Sequence, residues 1–227
     1  TVTGVQTCAL PICYIAVDPR NSNVNYAGNY GGTLVRIDRT NGTNESVRIY
    51  EDSQTGQRAS EMKYRQQWNA PIKLSPHNPD IVYTASQYVH RSKDGGQTWE
   101  PVRVIMDMGE YNGKPQEENG VSDPGIVIDD KTGEIFVFAV WMWGKPGKHQ
   151  WTGDGSEPGY EIGKAAQMLM VRSKDDGLTW SKPANLTRKL KKEAWWLYAP
   201  APQQGFQMAD GTLVMPSQGR DEQGKSF

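Results

Sequence analysis

The sequence predicts an all-β fold, an incomplete β-propeller of about three and a half four-stranded blades, and three observations carry that reading. The pattern Ser-x-Asp-x-Gly-x-Thr-Trp occurs twice, at Ser92–Trp99 and at Ser173–Trp180, 81 positions apart. Each copy lies between short alternating runs, as a hairpin turn between antiparallel strands would. The third observation is an internal echo: Pro19 and Tyr26 reappear as Pro76 and Tyr83, both pairs 57 positions apart. Repetition of a small β unit at intervals of this size is the signature of blades set around an axis.

The repeated turn is the pattern called the Asp-box, and its chemistry is structural. Ser92, Asp94, Ser173 and Asp175 can hold nearby backbone N–H groups, and Gly96 and Gly177 can take positive φ. Trp99 and Trp180 then turn inward and anchor each hairpin by apolar burial. A blade-locking turn, rather than a catalytic loop, is the role expected of all eight residues.

Composition agrees. In 227 residues there are 24 Gly, 14 Pro and 8 Trp, which suits many tight turns and aromatic-filled sheet interfaces. The formal net charge of −1 gives no reason to expect nucleic acid or an anionic membrane as partner. No apolar run approaches the roughly 18 residues of a membrane-spanning helix.

Taken in order, Tyr14–Val17, Val24–Gly28, Thr33–Ile37 and Ser46–Tyr50 read as the strands of one blade, with Asn41–Asn44 a turn. A polar connection follows to Gln67. The second blade is expected at Pro71–Leu74, Ile81–Ala85, Gln87–Arg91 and Trp99–Met106. The third takes Gly125–Ile128, Glu134–Trp141, Gln167–Val171 and Trp180–Leu186. Within it, the stretch from Met142 to Ala165 is rich in Gly, Trp and Pro, and long loops on a rigid scaffold are where binding residues tend to sit. Residues 187–200 read as a basic and then aromatic link, and Gly205–Met208 with Thr212–Ser217 as a last hairpin.

Both cysteines, Cys8 and Cys13, lie in the first thirteen residues. A disulfide, a metal pair and no role at all are open on spacing alone, and no second ligand cluster accompanies them. Val2–Ile12 looks like the translation of a sequencing-library adapter, so residues 1–13 are read as a non-native leader and set aside. The expected organisation is then that leader, two blades over 14–101, and one complete and one truncated blade over 102–227.

From about Arg91 onward the chain resembles bacterial exo-α-sialidases. The resemblance rests on the first Asp-box running into Val102–Glu110, on Ser122-Asp123-Pro124-Gly125-Ile126-Val127, on the second Asp-box, and on Asp210-Gly211-Thr212-Leu213-Val214-Met215-Pro216. Residues 14–101 are similar instead to sortilin-like propeller repeats, through Trp68–His77 and Tyr83–Gln87. Both families share the sequence at Arg91–Trp99, so a join of two origins there is expected, with a single divergent sialidase as the alternative.

The resemblance implies a six-bladed propeller, a secreted or periplasmic setting, sialylated glycans as partners, and no cofactor or metal. It implies retaining hydrolysis with a tyrosine nucleophile activated by a glutamate, an aspartic acid/base, and three arginines gripping the sugar carboxylate. The stretch where the first of those arginines would stand holds Asn69-Ala70-Pro71-Ile72-Lys73, and the remaining groups would fall beyond Phe227. Catalytic residues are therefore expected to be none here, and the chain to be an inactive fragment. What carries over is a share of the substrate pocket. Asp123 matches the aspartate that contacts the ring O4 hydroxyl, although an Asp before Pro also suits a turn. Trp143 and Trp151 fall where the N-acetyl pocket is shaped, Trp141 reads as core, and Gln218 and Arg220 sit where the glycerol tail is contacted. A non-catalytic Asp-box propeller that binds a peptide or glycan is the other reading. Self-association through unpaired blades is expected of either.

Overall fold

A computed structural model describes residues 14–51, 61–64, 66, 70–86, 88–111, 113, 115–144, 156–201 and 204–227. The first blade is an antiparallel meander of β1 (Tyr14–Val17), β2 (Val24–Asn29), β3 (Thr33–Asp38) and β4 (Thr43–Ser46). Its last strand lies earlier than the predicted Ser46–Tyr50. Asn41 accepts from the Thr43 N–H at 3.0 Å, which closes the turn early and lets pairing start at once at Thr43 opposite Asp38.

The second blade has β5 (Ile72–Leu74), β6 (Val82–Ala85) and β7 (Val89–Ser92). Its expected fourth strand at Trp99–Met106 is reduced to one bridge, Val89 to Arg103. The third blade is the largest, with β8 (Asn119–Ile128), β9 (Ile135–Trp143), β10 (Gln167–Ser173) and β11 (Ala184–Asn185). Strand β8 starts six residues earlier than its apolar core suggested, and a bulge between Ser122 and Gly125 breaks its pairing with β9.

A short helix α1 (Thr187–Leu190) occupies part of the basic link. Beyond it β12 (Leu197–Pro200) pairs with β15 (Ser217–Arg220), and β13 (Phe206–Gln207) pairs with β14 (Leu213–Val214). These four short strands read as two longer ones, each interrupted.

The blades are held by apolar seams between successive sheets. Val24, Tyr26, Leu34 and Val47 of the first blade close on Ile72 and Val82 of the second. Ile81 and Tyr83 of the second close on Ile126, Ile128, Ile135, Val137 and Val171 of the third. Val140, Met142 and Ala166 then meet Leu197 and Ala199. Apolar burial of this kind is worth roughly 1.5–3 kcal/mol per large side chain, and it accounts for the period-2 alternation along each strand.

The two Asp-boxes fold identically. Ser92 Oγ accepts from the Gly96 N–H at 2.8 Å, and Ser173 Oγ from the Gly177 N–H at 2.9 Å. Asp94 and Asp175 each accept from the backbone N–H four residues on, that of Thr98 and of Thr179, at 2.8 Å. Their second oxygens take the Thr98 and Thr179 hydroxyls at 2.5 Å. These donors hold the Asp94 carboxyl below the usual carboxylate range and lower that of Asp175 to about 2. The indoles differ. Trp99 donates to the Val47 carbonyl of the preceding blade at 3.1 Å, while Trp180 donates within its own box, to Gly177 at 3.0 Å.

Candidate functional site

The bulge in β8 builds the site. An extended strand alternates its side chains between two faces, and an extra residue breaks that alternation and re-aims one of them. Here the re-aimed residue is Asp123, which adopts φ +51°, a left-handed conformation that few non-glycine residues accept. Pro124 follows it and fixes the next φ. Asp123 is only 6% exposed, and burial pushes its carboxyl above the usual range. Strain and a buried carboxylate at one position are features that cluster at functional sites.

Asp123 lines a pocket of about 490 Å³ between the second and third blades. One wall is the end of β6 and start of β7 (Ala85, Ser86, Tyr88, Val89), and the other is β8 from Asn119 to Pro124 with Val137 and Ala139 of β9. Val104–Met108, the segment after the first Asp-box, runs across it with Gln116. Asn119 is fixed by its neighbours, since Nδ2 donates to Gly109 at 2.9 Å and Oδ1 accepts from the Trp141 indole at 2.9 Å. Ser86 Oγ lies 2.7 Å from His90 Nε2. His90 is 1% exposed within a ring of Tyr64, Tyr88 and Trp99, and burial lowers its pKa to about 4, so it is neutral. The pocket thus presents one carboxylate at its wall, Asp107 at its exposed rim, amide and hydroxyl groups, and the two thioethers of Met106 and Met108. That mixture suits a neutral or amide-bearing polar ligand with an apolar corner.

The other sequence-predicted residues do not converge on it. Trp143 is 2% exposed and packs with Trp141, their ring centroids 4.2 Å apart, with the Tyr111 ring edge-on to both. Both tryptophans are core, and no face of Trp143 is open to a ligand. Their role is support, because Met106 and Met108 of the pocket rest against this cluster. Gln218 and Arg220 lie on β15, half-buried, where Gln218 Nε2 donates to the Pro200 carbonyl at 3.4 Å and Arg220 pairs with Leu197. Neither lines the Asp123 pocket. Trp151 lies outside the described residues. Sequence reasoning missed Ser86, Asn119 and the Met106–Met108 segment; the methionines two apart after an Asp-box were the only signal for them.

Among the described residues no group of His, Cys, Asp and Glu could hold a metal ion, and no helix is long and apolar enough to cross a membrane.

A family model described as the BNR repeat-like domain matches residues 37–227. A sialidase of Bacteroides fragilis is 38% identical over 155 residues, 68% of this chain and 27% of that protein. An exo-alpha-sialidase of Aspergillus fumigatus is 27% identical over 151 residues, covering 63% of this chain and 34% of its own length. Among solved structures, the Hadza microbial sialidase Hz136 superposes with a TM-score of 0.65 at 30% identity, over 89% of this chain and 41% of that one. Trypanosoma rangeli sialidase in complex with sialic acid gives a TM-score of 0.52 at 15% identity, over 88% of this chain and 31% of its own, a likeness of fold. The chain therefore spans about a quarter to a third of the length of these curated relatives.

Proposed function

We propose, from the premise that this chain belongs to the BNR repeat-like domain family, that it forms part of an exo-α-sialidase propeller and binds the sialic acid of sialylated glycans in the Asp123 pocket. The observation that carries the reading is Asp123 itself: a carboxyl group buried and held at positive φ by a strand bulge, at the wall of a pocket of about 490 Å³. A buried carboxyl is a strong partner for a sugar hydroxyl, since each such bond to a charged group is worth about 1.5–3 kcal/mol. The Met106 and Met108 thioethers form an apolar corner fit for an acetamido methyl group.

The reaction of the family is retaining hydrolysis at the anomeric carbon with a tyrosine nucleophile. Its carboxylate-bearing substrate calls for guanidinium groups, and among the described residues no arginine lines this pocket. In this reading the pocket binds the sugar, and cleavage needs groups beyond those that line it among the described residues.

Titration with a sialylated trisaccharide and with its desialylated counterpart tests the binding. Saturable heat with the first alone, lost in Asp123→Ala, is expected; equal response to both would reject the sialic-acid reading. Separately, turnover of a fluorogenic sialoside by the same chain would show that the catalytic set is present after all. A non-catalytic propeller that binds a peptide or another glycan draws on the same mixed lining and would appear as binding indifferent to sialic acid.

A further inference from the structure

Ser86, at the head of the hairpin between β6 and β7, reaches the pocket with both of its lone pairs already engaged. We propose that the Ser86 hydroxyl, held from behind by His90, is a one-way hydrogen-bond donor that selects the acetamido carbonyl of the bound sugar. The choice of ligand rests on the sialic-acid reading of the pocket; the direction of the hydroxyl does not.

Strands β6 and β7 end at the pair Ala85 and Val89. In the turn beyond them the Ser86 N–H donates to the Tyr88 carbonyl at 2.8 Å, and the Tyr88 N–H donates back to Ser86 Oγ at 3.2 Å. The same Oγ lies 2.7 Å from His90 Nε2. Two partners converge on one oxygen, and what the hydroxyl has left for a ligand depends on which nitrogen of His90 carries the proton.

A neutral imidazole holds its proton on one ring nitrogen and a lone pair on the other. His90 is 1% exposed, and its Nδ1 is buried with no hydrogen-bond partner among the described residues. A proton on Nδ1 would enclose a bare N–H, which native structures avoid more strictly than an unused lone pair. The proton therefore belongs on Nε2, where it is donated to Ser86 Oγ. Ser86 then accepts twice, from Tyr88 and from His90. Its own hydrogen has one direction left, away from both and into the pocket that Ser86 lines.

A hydroxyl that only donates is matched by a group that only accepts. The hydroxyls of a sugar turn to do either, and its carboxylate calls for guanidinium groups. The acetamido carbonyl is neutral and only accepts. Its methyl group hangs on the same carbon, so the donor has to stand beside apolar surface. Ala85 and Val89 flank Ser86 and line the pocket, and the bridge from Val89 to Arg103 brings in the segment that carries Met106. Ser86 thus serves the amide, while the Asp123 carboxyl serves a sugar hydroxyl.

Two measurements on the 227-residue chain test this. Ring nitrogen-15 shifts, with the His90 signal assigned from its loss in His90→Gln, are expected to show Nε2 protonated and Nδ1 bare at pH 7. The opposite tautomer would overturn the proposal. Calorimetry with the sialylated trisaccharide and with its de-N-acetylated form then reads the ligand. Ser86→Ala is expected to bind the first about 3- to 10-fold more weakly, the worth of one neutral hydrogen bond, and the second as the wild type does. His90→Gln, whose amide N–H stands in for that of Nε2, is expected to keep wild-type affinity. His90→Met fills the space and donates nothing, so it is expected to lose part of the preference for the acetamido form, because a hydroxyl freed of one donor can also accept. If circular dichroism shows that Ser86→Ala has lost its β signal, Ser86→Cys, a weak donor of similar size, takes its place. Equal loss for both ligands overturns the proposal. A wild type that binds the trisaccharide, loses it in Asp123→Ala and keeps it undiminished in Ser86→Ala would reject the role of Ser86 alone. A wild type that binds neither ligand would reject the sialic-acid reading and the acetamido assignment with it.

Discussion

Tyr83 and Asp176, 93 positions apart in the chain, meet across the seam between the second and third blades: the Tyr83 phenol lies 3.1 Å from the Asp176 carbonyl oxygen and 3.2 Å from its Oδ1. Ser75 adds a hydroxyl donor to Oδ1 at 2.8 Å. Asp176 reaches this place because the second Asp-box holds it at φ +53°. The first seam is built on the same plan with a different residue. There Tyr26, the counterpart of Tyr83, approaches Gly95 so closely that a Cβ at Gly95 would sit 2.9 Å from its hydroxyl oxygen. The tyrosine thus sets what each box can carry at its fourth position: glycine where the phenol comes close, aspartate where it bonds.

Tyr83→Phe should separate this bond from the packing of the ring, since the ring stays and only the hydroxyl goes. Loss of about 1 kcal/mol is expected, read as a fall of about 2–4 °C in Tm by calorimetry. Asp176→Gly should cost less than the phenylalanine variant if the carbonyl bond carries most of the energy, and more if the carboxylate does.

Acid should weaken the fold in two windows. His90 binds its proton at about 4 in the folded chain against 6.5 when exposed, so its contribution is complete above pH 6.5 and is lost as pH falls toward 4. The difference corresponds to about 3 kcal/mol at the acid end. Asp175, held at about 2 against 3.8, loses its contribution only below pH 4. Denaturant melts from pH 8 to pH 3 check this. A His90→Gln variant should flatten the upper window and leave the lower one unchanged.

Asp123→Asn should raise stability and, on the proposed reading of the pocket, remove sugar binding. Burial raises the Asp123 carboxyl pKa, so keeping it charged at neutral pH costs folding energy that the amide does not. Asparagine also tolerates the left-handed backbone at this position. A higher Tm at pH 7, with the gain shrinking as pH falls and the wild-type carboxyl becomes neutral, is the expected result. A fall in Tm would show that the carboxylate is held by its neighbours more than burial opposes it.

Gly205→Ala should loosen the last sheets from the third blade. A Cβ there would lie 2.5 Å from the Val214 carbonyl oxygen and 2.7 Å from Val127 Cβ, and the backbone cannot give way as a flexible side chain would. A loss of about 1–3 kcal/mol is expected, and hydrogen exchange should show it first in β13 and β14. Gly120→Ala on β8, where nothing lies within 4 Å and φ is outside the left-handed region, serves as the control for the effect of an added methyl group.

By itself the sequence determined the all-β class, the two Asp-boxes and most strands, because these depend on neighbours a few residues apart. Ser92 to Gly96 and Asp94 to Thr98 are local bonds, and alternation along Gly125–Ile128 is a local pattern. Asp123 was legible too, as an Asp-Pro pair set before an apolar strand. What the pairing of distant strands decides lay beyond it. Thr43–Ser46 became the fourth strand because its turn closed early, and the stretch at Trp99–Met106 kept a single bridge at Arg103 while its end, Val104–Met106, crosses the pocket. Trp143 went to the core because a β8 that begins at Asn119 pairs with β9 all the way to Trp143 and encloses its end. Only the tertiary structure could show Ile15 and Val17 exposed where Ile72 is buried, since the two residues at each repeat differ in what lies against them and not in what they are.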